Sequence, residues 1–212
     1  MRSFERGAVI YDEVLGAESV CVLISGVARI TCSNCEGERV LVELIGPGDV
    51  VGNTALLPQT HQQIRCEAFV DCIAGVIPAA ELVQAVVGEA YQDFGISLQL
   101  LIGRWWQMLM RYAHFLDQDL ERRIALTLLS LALKIGTPKE RYIVLNAPVT
   151  HRDIADLVGG SRPKVTKYLT HLAAEGLIVR DGRRIAIAAR ALEDLVNRRP
   201  SPARETRIAR LH

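Results

Sequence analysis

Between Thr150 and Leu172 the chain sets two runs of helical apolar spacing on either side of Gly159-Gly160-Ser161, and no other stretch constrains the fold as much. Ile154 and Val158 stand four apart on one face of the first run, and Val165, Tyr168, Leu169 and Leu172 make the inner face of the second. Ala155 is small where a second helix must cross closely, and Gly159 permits a sharp turn. Thr150 and Ser161 stand where the two N-caps are expected. What remains outward at the start of the second helix is Arg162, Pro163, Thr166 and Lys167, with Lys164 to one side. His151 and Arg152 fall at the N-terminus of the first helix, where charge and helix dipole both favour a phosphate.

After this pair, Leu177 to Ile187 reads as two short strands around Asp181-Gly182, a hairpin in the position of a wing. Helix, turn, helix and wing together predict a DNA-binding winged helix-turn-helix. The distribution of charge agrees. The formal net charge is only +1, yet residues 1–149 hold 12 Lys+Arg against 17 Asp+Glu, residues 150–190 hold 8 against 4, and residues 191–212 hold 5 against 3. A basic module behind an acidic body is the footprint of a part that meets an anionic polymer.

The body is read as all-β. Gly7, Gly16, Gly26, Gly37 and Gly46 recur nearly evenly among segments rich in Val, Ile and Leu, which predicts short strands joined by turns in a roll or sandwich. Val20 to Ile24 is wholly apolar and reads as a central strand, and Gly46-Pro47-Gly48-Asp49 as a tight turn. Pro78 to Val87 reads as a short helix. From about Glu89 a longer one takes over, in which Phe94, Leu98, Leu101, Trp105, Met108, Tyr112 and Phe115 follow alternating spacings of 4 and 3. Such a seam pairs a long helix with a copy of itself, so a homodimer is expected. Leu120 to Ile135 is a further helix, with Gly136-Thr137-Pro138 as its stop signal. The expected organisation is an α+β chain: a β-roll sensor over 1–88, a dimerisation helix over 89–117, a winged helix over 118–190 and a basic tail over 191–212.

Over residues 4 to 190 the chain resembles the cAMP receptor protein and fumarate-nitrate regulator (CRP/FNR) superfamily. The resemblance rests on Ile24-Ser25-Gly26-Val27, Gly46-Pro47-Gly48-Asp49-Val50-Val51-Gly52, Phe115-Leu116-Asp117, Arg123-Ile124-Ala125 and Val149 to Leu172. It implies a cyclic-nucleotide-binding-like β-roll, a long dimerisation helix and a C-terminal winged helix. It further implies that Arg162, Pro163 and Lys167 face base edges, and that Thr150, His151, Ser161 and Lys164 hold phosphates. Double-stranded DNA with an inverted-repeat operator and RNA polymerase are the partners it suggests. Pro163 replaces the acidic residue many relatives carry there and cannot accept a hydrogen bond from cytosine, so the resemblance does not carry the family's standard operator over to this chain.

No cofactor is legible. The family's cAMP signature is a Gly-Glu-Leu turn followed by Arg-Ser/Thr-Ala. Here the turn is Gly52-Asn53-Thr54, and the arginine and hydroxyl positions fall on Gln62-Gln63 or Arg65-Cys66, which argues against cAMP. Cys32 and Cys35 make a C-x2-C that fits a thiol-redox switch or half a metal site. A structural zinc or iron-sulfur site needs four ligands, and no metal site is assigned. His61 and His114 are candidate haem ligands only as single histidines. A constitutive regulator without effector is the remaining alternative. Five cysteines, an odd number, fit reduced thiols in the cytoplasm. No apolar run reaches the ~18 residues of a membrane span, and no catalytic motif stands out, so neither a membrane partner nor an enzyme is expected.

Overall fold

Period-two burial organises the N-terminal half of the computed structural model, which describes residues 1–13, 18–33, 36–52, 64–81, 84 and 119–198. Among the described residues the strands there are β1 (Arg2–Phe4), β2 (Val9–Asp12), β3 (Ser19–Ser25), β4 (Ala28–Ser33), β5 (Arg39–Ile45), β6 (Val50–Val51), β7 (Arg65–Ala68) and β8 (Cys72–Pro78). They pair antiparallel in two four-stranded sheets, ordered β1-β8-β3-β6 and β2-β7-β4-β5. Along β7 the alternation is plain, since Cys66 and Ala68 are buried while Arg65 and Glu67 face the other way. The inner faces of both sheets share one core of Tyr11, Cys21, Leu23, Ala28, Ile45, Val51, Cys66, Ala68, Cys72 and Ala74. The expected central strand is β3, flanked by β8 and β6. The Gly46-Pro47-Gly48-Asp49 turn closes as expected, with Asp49 N–H donating to Gly46 O at 3.1 Å and Gly46 N–H to Asp49 Oδ2 at 2.9 Å.

Pro78 does not open a helix. It ends β8 opposite Ser19, and helical residues begin at Ala79. The expected dimerisation helix over 89–117, with Phe94, Leu98, Leu101, Trp105, Met108, Tyr112 and Phe115, lies outside the described residues. The chain divides into two units, Met1–Met108 and Leu109–His212.

In the second unit, helix α1 (Leu120–Ile135) follows the predicted bounds, capped by Asp119 Oδ1 accepting from Glu121 N at 3.0 Å. Its buried stripe of Ile124, Ala125, Leu128, Leu131, Ala132 and Ile135 follows the helical repeat, each large member contributing roughly 1.5–3 kcal/mol of burial. Gly136 is not the left-handed cap its position suggested: at φ −100, ψ 154 it is extended and begins a strand. What selects glycine is crowding, because a Cβ there would collide with Ala132 O and Ile143 Cγ2. The strands are β9 (Gly136–Lys139), β10 (Tyr142–Leu145), β11 (Ile178–Asp181) and β12 (Arg184–Ile187), in the order β11-β12-β10-β9. The hairpin of β9 and β10 has no counterpart in the sequence reading. Between β10 and β11 lie α2 (His151–Val158) and α3 (Arg162–Ala174). The tail expected from residue 191 begins instead as a helix, α4 (Ala189–Arg198), packed on α1 with Leu192 and Val196 buried.

Candidate nucleic-acid interface

The turn between α2 and α3 is built by caps at both ends of α2. Thr150 Oγ1 accepts from Asp153 N at 3.2 Å, and Asp153 Oδ2 accepts from Thr150 N at 2.8 Å, a reciprocal capping box. Asp153 was missed in the sequence, although Thr-x-x-Asp is its signature. At the other end Gly159 adopts φ 59, ψ 39, the left-handed conformation that ends α2 and redirects the chain. Arg123 Nε donates to Val158 O at 3.2 Å, tying α1 to the same end.

Ser161 occupies the N-cap of α3, but its side chain makes no capping bond, which corrects the expected role. Pro163 fits the first turn of the helix, where its missing N–H removes no helical bond. Val165, Tyr168, Leu169 and Leu172 are buried, as the spacing predicted. That orientation leaves Ser161, Arg162, Pro163, Lys164 and Lys167 exposed together around the first turn of α3. No acidic residue lies in that turn.

Thr150 is exposed at the start of α2, while His151 is half-buried with its Nδ1 3.1 Å from Thr166 Oγ1. Thr166, read as an outward residue, is thus the joint between the two helices. Burial first, then the positive charges of Arg180 and Arg162, push the His151 pKa below 6.5. Arg152 is exposed but holds Asp156, Nε to Oδ1 at 2.9 Å. The arginine side chain of this pair is 65% exposed and the carboxylate 17%, so Arg152 keeps most of its donors toward solvent. The wing adds residues that were not singled out in the sequence: Arg180, Arg183 and Arg184 are exposed on β11, the Gly182-Arg183 loop and β12. The signal was available, since three arginines surround the Asp-Gly turn.

In the first unit, Cys32 lies half-buried on β4 opposite Val40, with Sγ 3.6 Å from Ser33 O. Cys35 lies outside the described residues, as do Asn53, His61, Gln62, Gln63, Trp106 and His114. Cys21, Cys66 and Cys72 are buried and unbridged in the core. Burial pushes the Cys66 thiol up to about 12 and raises Cys21 and Cys72 as well, so these three are poor nucleophiles at neutral pH. Among the described residues no three His, Cys, Asp or Glu side chains form a group able to hold a metal ion, and no helix is long and apolar enough to cross a membrane.

An exposed basic first turn on the second helix, a capped first helix beside it and an arginine-bearing wing define a winged helix-turn-helix of the DNA-binding class. Residues 1–87 match the model of the cyclic nucleotide-binding domain, and residues 122–195 match the Crp-like helix-turn-helix domain. The chain therefore belongs to the CRP/FNR family of DNA-binding transcription regulators. Among its relatives, the global nitrogen regulator of Synechococcus elongatus is 27% identical, over 88% of this chain and 85% of that protein. The CRP-like cAMP-activated global transcriptional regulator of Mycobacterium tuberculosis is 24% identical, over 87% and 82%. Among solved structures, a CRP/FNR-family transcriptional regulator from Thermus thermophilus aligns with TM-score 0.72 and 26% identity over 94% of this chain and 99% of that one.

Proposed function

We propose that this regulator acts as a homodimer that binds inverted-repeat DNA and does not respond to cAMP. The observation that carries the DNA-binding geometry is the exposure of Arg162, Pro163 and Lys167 on the first two turns of α3 while its other face is buried. In this reading those three approach base edges, and Thr150, His151, Arg152, Ser161 and Lys164 hold phosphates. The apolar seam from Phe94 to Phe115 pairs the two copies. Asn53 lacks the carboxylate, and neither Gln62-Gln63 nor Arg65-Cys66 supplies arginine and hydroxyl together, which is the case against cAMP. RNA polymerase as a partner, a cytoplasmic site of action and the absence of catalytic activity belong to the same proposal.

Selection of binding sites from a randomised duplex pool, with and without cell extract, tests it. Enrichment of an inverted repeat that stays unaffected by added cAMP is the expected result. Failure to enrich any inverted repeat overturns it. A second reading is favoured by the position of Cys32, near the end of a β-hairpin strand and outside the shared core of Cys21, Cys66 and Cys72. There Cys32 and Cys35 act as a thiol-redox switch on DNA binding. Oxidation that changes the affinity of the wild type but not of Cys35→Ser supports this reading, and equal responses reject it.

A further inference from the structure

The buried residues of α3, Val165, Tyr168, Leu169 and Leu172, fix which of its side chains point the other way. At about 100° per residue, the line opposite them runs through Pro163, Lys167, Thr170 and Ala174, all exposed, with Arg162 and Lys164 to either side. Thr170 lies two turns beyond Pro163 on that line, about 10.5 Å along the axis. Homeodomain recognition helices read bases across the same length. Ala174 closes the helix, at the end away from the N-terminal turns that approach base edges.

The hydroxyl of Thr170 is already committed. Its Oγ1 donates to Thr166 O, one turn back, at 2.9 Å. The proton that a hydroxyl offers a base is therefore held by the backbone, and the stiff χ1 of a β-branched side chain keeps the methyl group in one place. Thr166 itself is held in the joint with His151 at 3.1 Å. On the outward line there is no Asp, Glu, Asn or Gln, the side chains that accept from cytosine N4 or pair with adenine. What α3 presents two turns in is an immobilised methyl group.

We propose that Thr170 is a specificity-determining residue, which selects a thymine in each half-site by packing its methyl group against the 5-methyl group of that base. This rests on the DNA-binding reading above and deepens it, by naming a base and the group that recognises it. The 5-methyl of thymine is the apolar feature of the major-groove code, and threonine methyl groups are among its partners. Any other base at that step leaves the Thr170 methyl without its apolar partner.

The test uses the operator enriched from the randomised pool. In each half-site one thymine at a time is replaced by deoxyuridine, which removes the 5-methyl group and leaves the pairing edge intact. Affinity of the full chain is read by fluorescence anisotropy at constant salt. At one thymine position the wild type is expected to lose roughly fourfold per half-site, the value of one buried methyl group. Thr170→Ser keeps the hydroxyl and its bond to Thr166 O but lacks the methyl group. It should bind the thymine operator as weakly as the wild type binds the uracil one, and should not distinguish the two. Thr170→Val keeps a methyl group there without the hydroxyl, and should retain the discrimination. A wild type indifferent to uracil at every thymine overturns the assignment, and that measurement needs no variant to fold. So does a set of uracil losses that survives unchanged in Thr170→Ser, or a discrimination that is lost in Thr170→Val. If no operator is enriched and no duplex is bound, the DNA-binding reading itself has failed.

Discussion

Arg162 and Lys164 stand two residues apart on one exposed turn, yet their side chains carry different chemistry. A guanidinium placed against guanine makes a bidentate contact worth roughly 1–3 kcal/mol of discrimination. A lysine on a phosphate contributes affinity without sequence information. Arg162→Ala is therefore expected to flatten the preference between the selected operator and a scrambled one. Lys164→Ala should weaken both alike and lower the salt slope by about one unit per site. Quantitative gel shifts on both duplexes at several salt concentrations separate the two, and an unchanged operator preference in Arg162→Ala would remove that residue from base readout. His151 also carries a stability term that depends on pH. Its pKa is depressed in the folded state, whereas the unfolded chain keeps about 6.5. The unfolded state binds the proton more readily, so this contribution is whole above about pH 6.5 and is lost as pH falls through the lower folded value. The thermal midpoint of the free wild type should drop on acidification below that pH by more than that of His151→Gln, and parallel curves would refute the term.

The elements divide according to how locally their causes are written. The buried stripe of α1 and the buried face of α3 were legible because the 3.6-residue spacing lies within the segment itself. The wing hairpin was legible for the same reason, as a glycine between apolar runs is a local signal, although the two turn residues are Gly182 and Arg183, one step beyond the Asp-Gly pair. The hairpin of β9 and β10 was not. Gly136-Thr137-Pro138 signals a stop, and the residues continue as a strand only because β10 pairs with them and β9 is an edge, where Pro138 loses no ladder bond it needs. Helix α4 was hidden likewise. Its apolar stripe is short, and the basic run after it has the composition of a tail, but Leu192 and Val196 find a tertiary partner in α1. Arg122 Nη1 donates to Val196 O at 3.4 Å across the same contact. Since Leu192 is fully buried, Leu192→Ala should cost about 2–5 kcal/mol, measurable by urea unfolding. A loss below about 1 kcal/mol would mean that α4 is peripheral rather than part of the unit's core.

At the scale of the molecule, the near-neutral total of +1 is a partition rather than a balance. The surplus of acid lies in residues 1–149, and the surplus of base lies in the segment that holds α2, α3 and the wing. Such a partition steers one end of the chain to DNA and leaves the β-roll repelled by it. Two recognition helices related by the two-fold axis of the proposed dimer then have to meet major grooves on the same side of the duplex, about 34–36 Å apart, one helical turn of DNA. That requirement is testable without knowing the effector. Lengthening the spacer of a selected inverted repeat by about 5 base pairs turns one half-site to the opposite face, so affinity should fall toward the non-specific level. Lengthening it by about 10 restores the face but not the distance, and a rigid dimer should recover little. A protein that binds each half-site independently would be indifferent to both insertions, because nothing would couple the two contacts. Spacer-insensitive binding in anisotropy titrations would thus dissolve the dimer while leaving the winged helix its DNA.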